Sequence, residues 1–101
     1  MGYRKSTYSK GQTDNWRGRI AIVLAETQEA LSIPQIQERD MALQGISSQK
    51  MAKMLGSLIE YNLVAKSKAK NGRMVYKSLA VMAEQGYDIA PYLGAEGLEK
   101  I

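Results

Sequence analysis

Ser47 and Lys50, in the run Ser47-Ser48-Gln49-Lys50, stand at the S-x-x-K spacing of a serine nucleophile and the lysine beside it. An acyl-transfer site built on that pair also needs an oxyanion hole and partner motifs, and this chain of 101 residues offers neither. A serine capping a helix whose surface carries Lys50 accounts for the same residues. No glycine-rich phosphate loop, carboxylate pair or metal-ligand cluster stands out. The chain has no histidine and no cysteine, which excludes ordinary zinc sites and disulfide frameworks and fits a reducing cytoplasm. The expectation is therefore a protein that is not an enzyme and holds neither metal nor cofactor.

The chemistry the residues do support is the grip of a polyanion. Lys50, Lys53, Lys66, Lys68, Lys70, Arg73 and Lys77 face a single acid, Glu60, over the same stretch. The net charge of +4 is modest, but it is unevenly spread: residues 1–19 hold five basic side chains and one acid, while the segments 20–49 and 78–101 are acidic on balance. Such concentration suits a nucleic-acid footprint, double-stranded DNA first, better than a generally basic surface. Ser47, Ser48, Gln49, Lys50, Lys53 and Ser57 are polar and occupy the outer part of one helix. Glutamine can pair with adenine there and lysine can donate to guanine, and Gly56 and Ser57 are small enough for a backbone to come close. The same residues also suit a merely solvated helix face.

Lys66, Lys68 and Lys70 alternate, as on one face of a strand running into a turn, and Asn71, Arg73 and Lys77 follow. This row suits phosphate contacts or an arginine in the minor groove, and its bland counterpart is protection of an exposed strand edge. Tyr76 is assigned to packing. Toward the start, Arg4, Lys5 and Lys10 interleave with Tyr3 and Tyr8, with Arg17 and Arg19 just beyond. They could form an arm that follows a groove, or simply a disordered terminus.

The elements that must position these residues divide into an arm over 1–13, a folded domain over 14–87 and a loosely docked tail over 88–101. Asp14 or Asn15 is expected to cap a first helix from about Trp16 to Glu29, with Trp16, Ile20, Val23, Leu24 and Thr27 on its inner stripe. Ser32-Ile33-Pro34-Gln35 has the form of a capping box for a second helix, running from Pro34 to about Asp40 or Leu43, with a short strand over Leu31–Ile33 before it. Ser47 caps a third helix with Met51, Leu55 and Leu58 inward; Asn62 ends it in a left-handed conformation. Two strands, Leu63 to Ser67 and Met74 to Leu79, flank Asn71-Gly72, a type I′ hairpin signal. A short helix over Ala80–Gln85 stops at Gly86.

The order helix, helix, helix, hairpin resembles the winged helix-turn-helix superfamily of DNA-binding domains over about Trp16 to Tyr87. The resemblance is carried by Ile46-Ser47-Ser48-Gln49-Lys50-Met51, Leu55, Leu58, Asn62-Leu63-Val64, the basic hairpin around Asn71-Gly72, and Ala83-Glu84-Gln85-Gly86-Tyr87. It implies an α+β, mainly α, fold: a three-helix core, a two-stranded β-hairpin wing and a short C-terminal helix or tail. It also implies a third helix that enters the major groove, as in a small transcriptional regulator. Two features depart from the pattern: Gln37 stands where a small alanine is usual, and Asp40 to Gly45 exceeds the usual tight turn.

Rival expectations are the same fold holding a protein partner, or an RNA or single-strand binder with few aromatics to stack bases. A homodimer is expected through Ile22 and Ala25 or through Tyr87, Ile89, Tyr92 and Leu93, unless that tail folds back on its own core. The longest apolar run, Ile20 to Ala25, is too short for a bilayer span, and no signal-peptide core precedes it. Met1-Gly2 with Ser6 matches a loose myristoylation pattern that any small second residue can mimic.

Overall fold

The structure, a computed structural model, describes residues 10–93. It is an α+β chain, mainly helical: α1 (Lys10–Ala25), α2 (Ile33–Arg39), a 3₁₀ turn (Met41–Leu43), α3 (Ser48–Glu60), β1 (Val64–Lys68), β2 (Met74–Ser78), α4 (Leu79–Glu84) and a second 3₁₀ turn (Ala90–Tyr92). Arg4, Lys5, Tyr3, Tyr8 and the segment 94–101 lie outside the described residues.

α1 begins at Lys10, well before the expected start near Trp16. Asp14 does not cap it; its carboxylate pairs with Arg17 one turn along the same helix. Once the acid is satisfied in that way, nothing in Gly11-Gln12-Thr13 breaks the helix, because glycine only lowers helix propensity. The inner stripe is as expected, with Trp16, Ile20, Val23 and Leu24 all buried. They meet Ile36 of α2, Met51, Met54, Leu55 and Leu58 of α3, and Leu31, Leu43, Ile46, Val64 and Tyr76 in one apolar core. Each large side chain removed from water contributes roughly 1.5–3 kcal/mol, so this cluster fixes how α1, α2 and α3 sit together.

α2 ends at Arg39, and the stretch after it is ordered by two polar clamps. The Gln37 amide donates to the carbonyls of Leu43 at 2.9 Å and Ile46 at 2.8 Å. Arg19 of α1 holds Asp40 through two bonds of 2.8 Å, and the same carboxylate accepts from the Ala42 N–H at 3.0 Å. The long amide at position 37 thus supplies the donor that the connection from Asp40 to Ile46 needs.

At the start of α2, the backbone N–H of Ser32 donates to the Gln35 side chain at 2.9 Å, as the capping signal anticipates. Ser47 accepts from the Lys50 N–H at 3.1 Å at the start of α3. At its end Asn62 takes φ 63°, with its N–H on the Ile59 carbonyl and the Leu63 N–H on the Leu58 carbonyl, a Schellman closure. That closure reverses the chain, so β1 runs back alongside α3. β1 and β2 pair antiparallel from Val64↔Ser78 to Lys68↔Met74, and Leu31 adds a bridge to Tyr76 with two bonds of 2.8 Å.

The hairpin turn differs from the expected type I′. Gly72 has φ 86°, while Asn62 is the single non-glycine residue with positive φ among those described, so Asn71 does not take the left-handed position. Instead the Gly72 N–H reaches the Ala69 carbonyl, the Ala69 N–H reaches that of Arg73, and Asn71 Oδ1 accepts from the Arg73 N–H at 2.9 Å. A three-residue loop with one left-handed glycine results. Ser78 ends β2 and caps α4, accepting from the Val81 N–H. Ile89 and Leu93 then pack against Ala65, Leu79 and Met82, a second small cluster.

Candidate nucleic-acid interface

Ser48, Gln49 and Lys53 are exposed on the outer side of α3, and Lys50 and Ser57 are half-buried at its edge. The cap at Ser47 sets the helix start, and burial of Met51, Met54, Leu55 and Leu58 turns the polar stripe outward. Because β1 runs back along α3, the hairpin tip returns to the helix's N-terminal end. Three depressions lie around α3, and two of them record how the elements meet. Ser47, Gln49, Lys50, Ala52 and Lys53 line one; Thr13 and Arg17 of α1 join Lys50, Lys53, Met54 and Ser57 in a second. In the third, Arg73, Met74 and Tyr76 face Ser32, Ile33, Pro34 and Ser48. Arg17 of α1 is therefore a neighbour of Lys50 and Lys53 on one flank of α3, and Arg73 of the hairpin lies beside Ser48 at the start of the helix.

The hairpin lysines do not form one row. Lys66 pairs in register with Tyr76 and Lys68 with Met74, so those two lysines share the sheet face that carries Val64 and Tyr76 into the core beside α3. Past the edge of the core that face is open, and both lysines are exposed. Lys70 lies in the turn rather than on the strand. Lys77 pairs with Ala65 on the opposite face, and its ammonium sits 5.3 Å from the ring centre of Tyr87. Tyr76 is a packing residue, and burial pushes its hydroxyl above the ordinary tyrosine value.

Among the arginines near the start of the chain, Arg17 and Arg19 part company. Arg17 is paired with Asp14 yet lies beside Lys50 and Lys53, whereas Arg19 is spent on Asp40. Hydrogen bonding from Arg19 holds the Asp40 carboxyl below the usual carboxylate range, and the same bond raises Arg19. Lys10 is the first residue of α1. Lys53, Lys66, Lys68, Lys70 and Arg73 form no ion pair with any described carboxylate. Thr13 and Met54, beside Arg17, Lys50 and Lys53, are neighbours that the sequence did not single out; the Trp16–Ile20 stripe, which packs α1 on α3, was the signal that could have located Thr13.

Among the described residues no group of three histidine, cysteine, aspartate or glutamate side chains could hold a metal ion, and no helix is long and apolar enough to cross a membrane. No family model matches the chain, and neither a search of curated proteins nor one of solved structures finds a match.

Proposed function

We propose that the protein is a winged-helix domain that binds duplex DNA, with α3 in the major groove and the hairpin as its wing. The observation that carries this reading is the placement of cations about α3: Arg17 of α1 beside Lys50 and Lys53, and Arg73 beside Ser48 at the start of the helix, with exposed Lys66 and Lys68 on the adjoining strand. Monovalent cations spread along a convex helix and a projecting hairpin match a phosphate backbone flanking a groove better than they match one compact anion. Ser48, Gln49 and Lys53 are exposed and polar, as contact with base edges requires, and the N-terminus of α3 adds the positive end of its dipole. A role in transcription follows as the simplest use of such a domain.

The test is a titration of the isotope-labelled full chain with a random-sequence duplex, followed by amide chemical shifts. The expected perturbations fall on residues 47–57, on 66–73 and on Arg17, and spare α4. Perturbations confined to α4 and the C-terminal segment would refute the proposed face.

A further inference from the structure

Thr13 and Arg17 stand one turn apart on α1, and Lys50, Lys53, Met54 and Ser57 follow one another at helical spacing on α3. Trp16 and Ile20 share one core with Met51 and Met54, which sets these two stripes side by side. Together the six residues line a depression of about 270 Å³ along the seam of the two helices. Its lining holds three cations, Arg17, Lys50 and Lys53, and no carboxylate. Ser57 gives its hydroxyl to the Lys53 carbonyl at 3.4 Å, which leaves that of Thr13 to the seam. Arg17 is paired with Asp14, a half-exposed acid that lies outside the lining.

We infer that this seam seats one phosphate group, which Arg17 takes in exchange for Asp14. Lys50 supplies a second charge from α3 and Thr13 a hydroxyl from α1, while Lys53, one turn along, adds to the field. A guanidinium presents its N–H groups as a planar fork, and an ammonium is a compact point charge. Used together they suit a tetrahedral oxyanion, whose oxygens accept from several directions, better than a flat carboxylate with two. Like charges gathered on two packed helices repel while the seat is empty, and an anion between them reverses the sign of that contribution. The exchange is inexpensive, because the Arg17–Asp14 pair is exposed and screened by water. Two sources present such a group: the backbone of a duplex and a free phosphate ester. The first rests on the DNA reading proposed above, and the second does not.

The experiment titrates the isotope-labelled full chain with inorganic phosphate at constant ionic strength and, separately, with a random-sequence duplex. Arg17→Gln, Asp14→Asn and Arg39→Gln are compared with the natural sequence, and thermal midpoints verify that each keeps the fold. Phosphate is expected to shift the amides of Thr13, Arg17, Lys50 and Lys53 saturably. Arg17→Gln should weaken that binding about tenfold, the scale of a lost hydrogen bond to a charged group. Asp14→Asn should tighten it about two- to fivefold, because the competing carboxylate is gone. Arg39→Gln removes the same charge from the exposed end of α2 and should change nothing. If Arg17→Gln weakens the duplex as well and phosphate competes with it, the seat stands and the backbone fills it. If phosphate binds in this way while the duplex is indifferent to Arg17→Gln, or does not bind at all, the seat stands for a free phosphate ester. Shifts that do not saturate, that spread equally over Lys66 and Lys68, or that fall alike in Arg17→Gln and Arg39→Gln overturn the seat, even where the duplex still binds. Weaker phosphate binding in Asp14→Asn overturns the exchange.

Discussion

Gly56 sits in the middle of α3, where glycine costs about 1 kcal/mol relative to alanine. Its backbone does not take positive φ, and a Cβ added there would meet nothing within 4 Å. Neither turn geometry nor internal packing asks for a glycine. Close approach of a phosphate backbone, as proposed for duplex binding, would, and position 56 shares the outer stripe of α3 with Gln49 and Lys53. Gly56→Ala is therefore expected to raise stability to urea by about 0.5–1 kcal/mol and at the same time weaken duplex binding by about tenfold. Measuring both on one variant separates the two roles. Higher stability with unaltered affinity would mean that no backbone comes close to this position.

At the scale of elements, the proposed reading gives α3 and the hairpin different contributions, so they should fail differently. Lys68→Ala combined with Arg73→Ala removes two exposed cations that the proposed reading sets on phosphates. That variant is expected to lose affinity for every duplex alike and to depend less steeply on salt. Gln49→Ala or Lys53→Ala is expected instead to lower preference for a selected site, by about 1–3 kcal/mol where the contact is bidentate. Competition binding with selected and random duplexes reads the difference, and loss of preference in the hairpin variant alone would move the reading role away from α3. The elements themselves were largely legible in the sequence because their signals are local. The stripe of Trp16, Ile20, Val23 and Leu24, the caps at Ser32 and Ser47, and Asn62 each act through neighbours within one or two turns. What was missed depends on partners distant in sequence or on competing local bonds. Arg19 and Asp40 meet only after α1 and α2 have packed, and Asp14 chose Arg17 over a capping role. Asn71 used its side chain to accept from Arg73, which left the left-handed position to Gly72 alone and moved Lys70 off the strand. The split of Lys77 from Lys66 and Lys68 follows from strand register, which the alternation of lysines on one strand cannot fix across two.

At the scale of the whole molecule, Arg17 near the middle of α1 lies with Lys50 and Lys53, whereas Ala21 and Ala25 toward the end of the helix line a groove without ionisable side chains. A molecule organised in this way should hold a polyelectrolyte mainly by releasing its condensed counterions. If Lys50, Lys53, Lys66, Lys68 and Arg73 neutralise roughly five phosphates, the logarithm of the association constant should fall with the logarithm of salt at a slope of about −4 to −5 per copy. Non-specific duplex should then be bound with a dissociation constant of about 10⁻⁴ to 10⁻⁶ M near physiological salt. The most direct measurement is fluorescence anisotropy of a labelled random duplex titrated with the full chain across a salt series. A linear plot with that slope, flattened by about two in the Lys68→Ala, Arg73→Ala variant, is the predicted result. A slope near zero, or no binding even at low salt, would contradict the claim that this surface grips DNA.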